Sequence, residues 1–291
     1  PVSLINSNTM TTKDLQEEIE RLFAARPASV DDGTAMETFI ALRTALEKGE
    51  VRSAEPDAAT PTGWRVNAWV KRGILLGFRL GVLKEITSGA LTFVDKDTFP
   101  AQQFTAGEGV RVVVGGSAVR AGAHLSRGVV CAPPMYVNVG AYVDEGTMVD
   151  SHALVGSCAQ IGKRVHLSAA AQIGGVLEPA NASPVIVEDD VLVGGNCGVY
   201  EGAIVRKGAV LASGVILTRG TPVFDLVKGE VLRATPEMPL IIPENAVVVP
   251  GSRAVSKGKG QEWGLSLYAP VIVKYRDEKT DLSTTLEDVL R

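Results

Sequence analysis

The sequence predicts a mainly β protein whose middle third winds into a parallel β-helix. The first observation is an apolar residue at every sixth position, a spacing that neither a helix nor an ordinary strand produces. The second is a Gly, Asn or Asp near the corner of many six-residue units, where tight turns need positive φ. Six is the period of repeats in which short strands and turns stack into coils. The sixfold positions are Val119, Leu125, Cys131, Val137, Val143, Val149, Val155, Ile161, Leu167, Ile173, Val187, Val193, Val199, Val205, Leu211 and Leu217.

Composition narrows the class of protein. The 291 residues are 45 % hydrophobic, and a net charge of −4 offers no concentrated basic face for nucleic acid. No apolar run approaches the roughly 18 residues that a membrane span needs. Cys131, Cys158 and Cys197 are too few and too scattered for a disulfide framework, so we expect buried thiols. These features predict a soluble, cytoplasmic protein with neither nucleic-acid nor membrane partners.

An N-terminal helical or α+β domain is predicted over residues 10–108. Apolar side chains at helical spacing predict two helices within 11–49, and a third is predicted over Trp69–Arg79. Residues 51–62 are predicted as a loop. The helical stripes are formed by Leu15, Ile19, Leu22, Phe23, Met36, Phe39, Ile40, Leu42 and Leu46, with Thr12 or Asp14 as the first cap.

The start of the chain lacks a pattern of its own. Residues 1–9 precede the first methionine, Met10, and are interpreted as an extension or an expression remnant.

The sixfold spacing is interrupted once inside the β-helix domain, which we place at residues 109–252. Fourteen residues separate Ile173 from Val187, where twelve would keep the phase. The stretch 176–184 is therefore predicted to leave the coil as a loop, a place where function often sits.

A C-terminal extension is predicted over residues 253–291. Lys257–Gly260 is predicted as a loop, and Leu267–Lys274 as a strand that Pro270 confines to a sheet edge. Ser283–Arg291 is predicted as a short helix capped by its serine.

The sealed interior of such a coil leaves only its outer surface for chemistry. A groove between two prisms is the most suitable place, and three prisms around a threefold axis close a ring. The fold therefore predicts a homotrimer with sites between subunits.

The central coils resemble the tetrahydrodipicolinate N-succinyltransferase family of hexapeptide-repeat transferases. The most specific match is the run Tyr-Val-Asp-Glu-Gly-Thr-Met-Val-Asp at residues 142–150, and looser similarity extends over most of the chain from Met10. The resemblance implies the left-handed form of the β-helix. The close stretches are Tyr136–Asp150, Val155–Ser168 and Ile173–Pro179.

The resemblance also implies a reaction. A succinyl group would pass from succinyl-CoA, a co-substrate, to the amine of 2-amino-6-oxopimelate in lysine and diaminopimelate biosynthesis. No metal or prosthetic group is expected, since the sequence lacks metal-ligand spacing. One alternative is a hexapeptide acetyltransferase that uses acetyl-CoA on the same or another amine. A second alternative is a non-catalytic β-helix scaffold.

Site residues follow from the same resemblance. Asp150 matches a carboxylate that serves as base or ammonium anchor, a role needed because only the free amine attacks a thioester. Arg111 matches an arginine that binds the acceptor, since a guanidinium suits a carboxylate. Arg79 is a second substrate-binding candidate, and Asn138 and Ser168 are candidate hydrogen-bond donors to substrate.

One position departs from the family. A second carboxylate, which part of the family places opposite Asp150 from the neighbouring chain, aligns with Gly198. Glu201 is the nearby candidate for a catalytic role, with a structural corner as its alternative. His152 and His166 are candidate bases of the kind used by β-helix acetyltransferases, and each also has a simple structural explanation.

The CoA arm is expected to run along the groove beyond residue 174. Glycines let a backbone approach the pantetheine closely, and two lysines in a flexible loop suit its phosphates. The candidates are Gly174, Gly175, Gly194, Gly195, Lys257 and Lys259.

Overall fold

A computed structural model describes residues 11–25, 33–88 and 91–276 of the chain. Its centre is a triangular prism in which two-residue strands alternate with turns. Each strand pairs in parallel with the strands one coil away, as the sixfold spacing predicts. The predicted helix at Ser283–Arg291 and the stretch 1–9 lie outside the described residues.

Three parallel sheets form the faces of the prism. The first face contains Ala118–Val119, Tyr136–Val137, Leu154–Val155, Gln172–Ile173, Gly198–Val199 and Ile216–Leu217. The second contains His124–Leu125, Tyr142–Val143, Gln160–Ile161, Ile186–Val187, Ile204–Val205 and Ile241–Ile242. The third contains Arg111–Val112, Val130–Cys131, Met148–Val149, His166–Leu167, Leu192–Val193, Val210–Leu211 and Ala246–Val249.

One coil is 18 residues long, so Met148 pairs with His166. The insertion changes this register once, because Gln160 pairs with Ile186. Ile173 and Val187 thus occupy neighbouring faces. The chain passes from one face to the next in six residues elsewhere, and in fourteen residues here. The predicted excess of two residues is wrong: the loop adds eight, since the chain turns one corner between these positions and not two.

The sixfold positions line a dry interior. All of them are buried except Leu125, which is partly exposed near the N-terminal end of the prism. Cys131, Cys158 and Cys197 are free and buried, as predicted. Burial raises the pKa of Cys131 to about 12 and of Cys158 to about 11, so both remain protonated thiols of the core.

Corner residues have the expected backbone conformation. Gly140 has a φ of 74° and Gly146 a φ of 69°. L side chains rarely adopt this left-handed region, which explains the glycines at these turns.

Three helices, Thr12–Ala25, Gly33–Glu47 and Ala68–Leu80, form the N-terminal core. The prediction of Ile40 in the apolar stripe is wrong, because this side chain is 42 % exposed. The first cap lies one residue earlier than predicted: Thr11 Oγ1 accepts the Asp14 N–H at 3.2 Å. No helix in the described ranges is long and apolar enough to span a bilayer.

Short strands connect the helices. Ala54–Pro56 pairs with Trp64–Val66, so the predicted loop at 51–62 contains a strand that its Pro- and Thr-rich composition concealed. Leu83–Ser88 pairs with Leu91–Lys96 in an antiparallel hairpin, and a 3₁₀ turn follows at Ala106–Glu108.

The N-terminal segment covers the second face of the prism. The His124 ring stacks on Tyr142 with 4.6 Å between centroids, and Arg52 lies 3.7 Å from the centroid of Tyr142. Trp64 Nε1 donates to Glu188 Oε1 at 2.9 Å. These contacts fasten the N-terminal segment to the second face.

The C-terminal strands extend the third face. Val271–Tyr275 pairs with Ala246–Val249 on one side and with Val223–Asp225 on the other. The prediction of one edge strand over Leu267–Lys274 is therefore wrong, because the region contains two strands and the second is paired on both sides. Pro270 precedes this strand, so its missing N–H costs no ladder bond, and its carbonyl accepts the Phe224 N–H at 3.0 Å.

Three further elements complete the chain. Glu230–Leu232 pairs antiparallel with Val223–Asp225, and Ser252–Ala254 pairs antiparallel with Ser266–Tyr268. The predicted loop at Lys257–Gly260 instead contains the start of a short helix, Gly258–Glu262, despite its glycines.

Close helix packing explains a glycine inside the third helix. A Cβ built on Gly77 would lie 2.1 Å from the ring carbon Cε2 of Phe39. We predict that Gly77→Ala destabilises the protein by about 1–3 kcal/mol through overpacking. Gly33→Ala is the matched control, since no atom lies within 4 Å of a Cβ built there. Urea unfolding of both variants measures the difference, and equal midpoints for the two would contradict the packing argument.

Candidate active site

Asp150 lies at the vertex between the third and first faces, directly after the buried Val149. Its Oδ1 accepts the Ser151 N–H at 2.6 Å, which fixes the carboxylate on the turn. Its Oδ2 lies 3.9 Å from His166 Nε2, one coil further along. The side chain of Asp150 is 28 % exposed and that of His166 is 13 % exposed. A carboxylate beside an imidazole, open to solvent on one side, can accept a proton.

Strand register places further predicted residues beside Asp150. The Asp150 N–H donates to Leu167 O at 2.9 Å, so Ser168 occupies the same vertex position one coil on. Arg111 is exposed on the third face, in the same row of strands as Met148, which lies on the coil of Asp150. Arg111 and Met148 are two coils apart, or about 10 Å at the spacing of paired strands. We call the set Asp150, His166, Ser168, Gly194 and Gly195 the Asp150 vertex.

A second group of predicted residues lies at the opposite edge of the first face. Asn138 stands at the vertex between the first and second faces, and its Oδ1 accepts the Val139 N–H at 2.8 Å. The same vertex position recurs on later coils. We call the set Asn138, Gly156, Gly174, Gly175, Tyr200 and Glu201 the Asn138 vertex.

The structure therefore does not bring all predicted residues together within one chain. Asp150 and Glu201 occupy different vertices of the same prism, separated by the width of the first face. Glu201 Oε2 accepts the Arg219 N–H at 2.8 Å, which gives this carboxylate a corner contact of its own.

Arg79, Lys257 and Lys259 lie away from both vertices. Arg79 belongs to the third helix, and its guanidinium stands 4.3 Å from the Phe23 ring centroid. Lys257 precedes the short C-terminal helix, and Lys259 Nζ pairs with Glu262 at 2.6 Å.

The predicted CoA glycines have an explanation within the chain. A Cβ on Gly174 would lie 2.7 Å from Tyr200 Cδ1, and one on Gly175 would lie 2.7 Å from Ser157 N. A Cβ on Gly194 would lie 2.6 Å from Ser213 N. Self-packing therefore requires glycine at these positions whether or not a ligand approaches. Gly195 has more room, with Ala169 O at 3.3 Å.

Lys71 is a residue that the sequence interpretation missed. Its side chain is fully buried, and Nζ donates to Ala182 O in the insertion loop at 2.6 Å. Burial lowers the pKa of Lys71. Lys71 falls at helical spacing with Ile74 and Phe78, so its place on an apolar stripe was a usable signal.

The insertion loop is thus fastened to the N-terminal domain. Leu177 packs against the helical core, and the Val176 N–H donates to Ser157 O at 3.1 Å. Because the loop follows Gly175 directly, these contacts also fix the backbone of the Asn138 vertex. Over the described parts of the chain, no cluster of His, Cys, Asp and Glu is suited to a metal ion.

Comparisons with known proteins agree with this architecture. A family model described as "Tetrahydrodipicolinate N-succinyltransferase N-terminal" matches residues 14–80, and "Hexapeptide repeat of succinyl-transferase" matches residues 184–219. The parallel coils and this repeat place the chain in the class of hexapeptide-repeat acyltransferases.

Full-length relatives narrow the class further. A 2,3,4,5-tetrahydropyridine-2,6-dicarboxylate N-succinyltransferase of Bradyrhizobium diazoefficiens is 43 % identical over 97 % of this chain and 100 % of its own. Proteins of the same name from Aromatoleum aromaticum and Rhodopseudomonas palustris are each 42 % identical, over 96 % and 100 % of this chain and 99 % of their own. The chain belongs to the tetrahydropyridine-2,6-dicarboxylate N-succinyltransferase family.

A solved structure from Campylobacter jejuni, described as a 2,3,4,5-tetrahydropyridine-2-carboxylate N-succinyltransferase, is more distant. It superimposes with a TM-score of 0.48 at 18 % identity, over 80 % of this chain and 62 % of that one.

The relatives confirm the predicted family and the predicted transfer of a succinyl group. The hexapeptide repeat confirms the predicted left-handed β-helix, which here follows a helical N-terminal region. The comparisons do not favour the acetyltransferase or the scaffold.

Removing the lysine that fastens the insertion loop should loosen it. We predict that Lys71→Met leaves the Ala182 carbonyl unsatisfied, at a cost of about 1–3 kcal/mol. Amide hydrogen exchange across 176–184 should then be about 5- to 150-fold faster. Lys163→Met, which removes an exposed lysine paired with Glu145, is the control and should leave exchange in this loop unchanged. Unaltered exchange in Lys71→Met would show that the loop does not depend on this bond.

Proposed function

We propose that this chain transfers the succinyl group of succinyl-CoA to the amine of 2-amino-6-oxopimelate, in lysine and diaminopimelate biosynthesis. The amine nitrogen attacks the thioester carbonyl, the C–S bond breaks, and CoA leaves as the thiol while an amide forms. The observation that carries the proposal is the partly exposed Asp150 carboxylate, held on a turn beside His166 in a full-length member of a succinyltransferase family.

Asp150 accepts a proton from the substrate ammonium, or holds that ammonium while its proton leaves. Only the neutral amine is a nucleophile, so this step sets the supply of reactive substrate. His166 faces the second oxygen of Asp150 and keeps the carboxylate oriented. Arg111 binds an acceptor carboxylate through its guanidinium, and Ser168 donates a hydrogen bond to substrate.

The proposal includes a homotrimer with its sites between subunits. Asp150 and Asn138 stand at different vertices of one prism, so they meet around one substrate only when the Asp150 vertex of one copy faces the Asn138 vertex of another. A cyclic trimer provides three such grooves. Light scattering should therefore give three times the chain mass of 30.6 kDa.

The acyl donor runs along this groove in the proposal. Gly174, Gly175 and Gly195 line its thioester arm, and Lys257 and Lys259 meet its phosphates. No metal or prosthetic group takes part. A cytoplasmic location belongs to the proposal, because succinyl-CoA is an intracellular metabolite.

A thiol-release assay tests the proposed reaction. The enzyme is supplied with L-2-aminopimelate, a stable analogue of the acceptor, and with either succinyl-CoA or acetyl-CoA. We expect free CoA thiol with succinyl-CoA. Turnover with acetyl-CoA alone would replace the donor, and no turnover with either would overturn the assigned reaction.

Asp150→Asn should abolish most of the activity. We predict that kcat falls by about 10²- to 10⁴-fold, because the amide accepts no proton while it keeps the turn contact with Ser151. Asp144→Asn is the matched control: its Oδ1 accepts the Glu145 N–H at 2.8 Å in an equivalent turn at a different vertex.

Both aspartate variants should retain the oligomeric mass and melting temperature of the unaltered protein. Near-normal turnover in Asp150→Asn would remove this residue from the proton-accepting role.

A further inference from the structure

One aromatic side chain at the Asn138 vertex packs across two glycines of the first face. Tyr200 follows the buried Val199 and occupies the outer position of its coil, level with Gly174 on the preceding coil. A Cβ on Gly174 would lie 2.7 Å from Tyr200 Cδ1. The near edge of the ring therefore rests on Gly174.

The far edge of the ring rests on a second glycine. A Cβ on Gly198 would lie 2.4 Å from Tyr200 Cε2 and 2.9 Å from both Cζ and Oη. The ring thus lies across two glycines of the first face, and any side chain at either one would displace it. Gly198 is buried and lies against this ring.

The hydroxyl at the end of this ring is available. Over residues 11–25, 33–88 and 91–276, no hydrogen bond to the Tyr200 hydroxyl is formed. Tyr200 is itself only half-buried, so one side of the ring faces outward from the vertex. Other tyrosine hydroxyls nearby are engaged: Tyr136 donates to Asn138 Oδ1 at 3.3 Å, and Tyr268 accepts the Ile216 N–H at 2.6 Å.

The contacts with Gly174 and Gly198 hold the ring in one orientation, so the Tyr200 side chain has little rotamer freedom left to lose on binding. A donor held in this way binds an acceptor without a further cost in side-chain entropy. The ring alone covers the two glycines, and the tyrosine adds a directed O–H.

We propose that Tyr200 is a binding residue for the acyl donor, with its ring as the floor of the thioester channel and its O–H donating to an oxygen of the acyl group. The inference rests on the proposed function, because it takes the Asn138 vertex as the side of the groove along which succinyl-CoA lies. The acceptor oxygen is either the thioester carbonyl or the terminal carboxylate of the succinyl group.

Tyr200→Phe tests the hydroxyl while it keeps the ring on its two glycines. We expect kcat/KM for succinyl-CoA to fall by about 10- to 100-fold, the effect of losing one strong hydrogen bond. The KM of the amine acceptor and the Kd of free CoA should stay within twofold of the unaltered enzyme. Tyr142→Phe is the matched control, because Tyr142 stacks between His124 and Arg52 on the covered second face.

Direct binding distinguishes the two acyl oxygens. If the terminal carboxylate is the acceptor, Tyr200→Phe loses the preference for succinyl-CoA over CoA in calorimetry. If the thioester oxygen is the acceptor, the Kd of succinyl-CoA stays and kcat falls. Either result supports the inference.

Gly198→Ala provides a second test with the hydroxyl still present. The added Cβ should push the ring aside and lower kcat/KM for succinyl-CoA in the same direction as Tyr200→Phe. Melting temperature and oligomeric mass show whether each variant is folded.

A kcat/KM within twofold of normal in Tyr200→Phe, or an effect confined to the acceptor KM, would overturn the inference. If the unaltered enzyme releases no thiol from succinyl-CoA, the proposed function itself fails, which is a different result.

Discussion

Backbone pairing between successive coils is the constraint on which the rest of this structure depends. Each strand of the prism has about two residues, too few to be stable alone, and gains its hydrogen bonds only from the coils on either side. The 18-residue register then places residues such as Asp150 and Ser168 in vertical rows. The residues at the two vertices of the candidate site each occupy one position in such a row.

This geometry also decides where chemistry is possible. The interior is filled by apolar side chains and protonated thiols, while the second face is closed by the protein's own N-terminal segment. Solvent-accessible polar groups lie at both vertices that border the first face. In the proposed trimer, the carboxylate at one vertex faces the amide, glycine and phenol groups at the other vertex of a neighbouring copy.

Much of the fold followed from the sequence because burial in a β-helix imposes an exact period. The sixfold positions and the corner glycines were predicted from that period, and the buried cysteines from their small number and wide spacing. The insertion was miscounted because spacing in the sequence does not say how many corners a loop passes.

The finer parts of the site depend on contacts between coils and were less accessible. Asp150 was found through a motif, and its neighbour His166 follows from the register. Lys71 and Tyr200 were missed, since their importance comes from an insertion-loop carbonyl and from two glycines on different coils. Gly174, Gly175 and Gly194 were predicted to contact CoA, although packing within the chain already requires glycine at these positions.

The N-terminal segment has a consequence for how this protein can change in evolution. It touches five successive coils of the second face: Glu47 O lies 2.8 Å from His124, Arg52 contacts Tyr142 and Gln160, Trp64 bonds Glu188, and Thr62 O accepts from Arg206. Repeat proteins usually gain or lose whole units with ease, because each unit touches only its neighbours. Here the segment contacts successive coils at fixed positions along the stack. A duplicated or deleted coil would shift all later coils relative to the segment and break those contacts. The number of coils is therefore fixed by a part of the chain that contains no repeat.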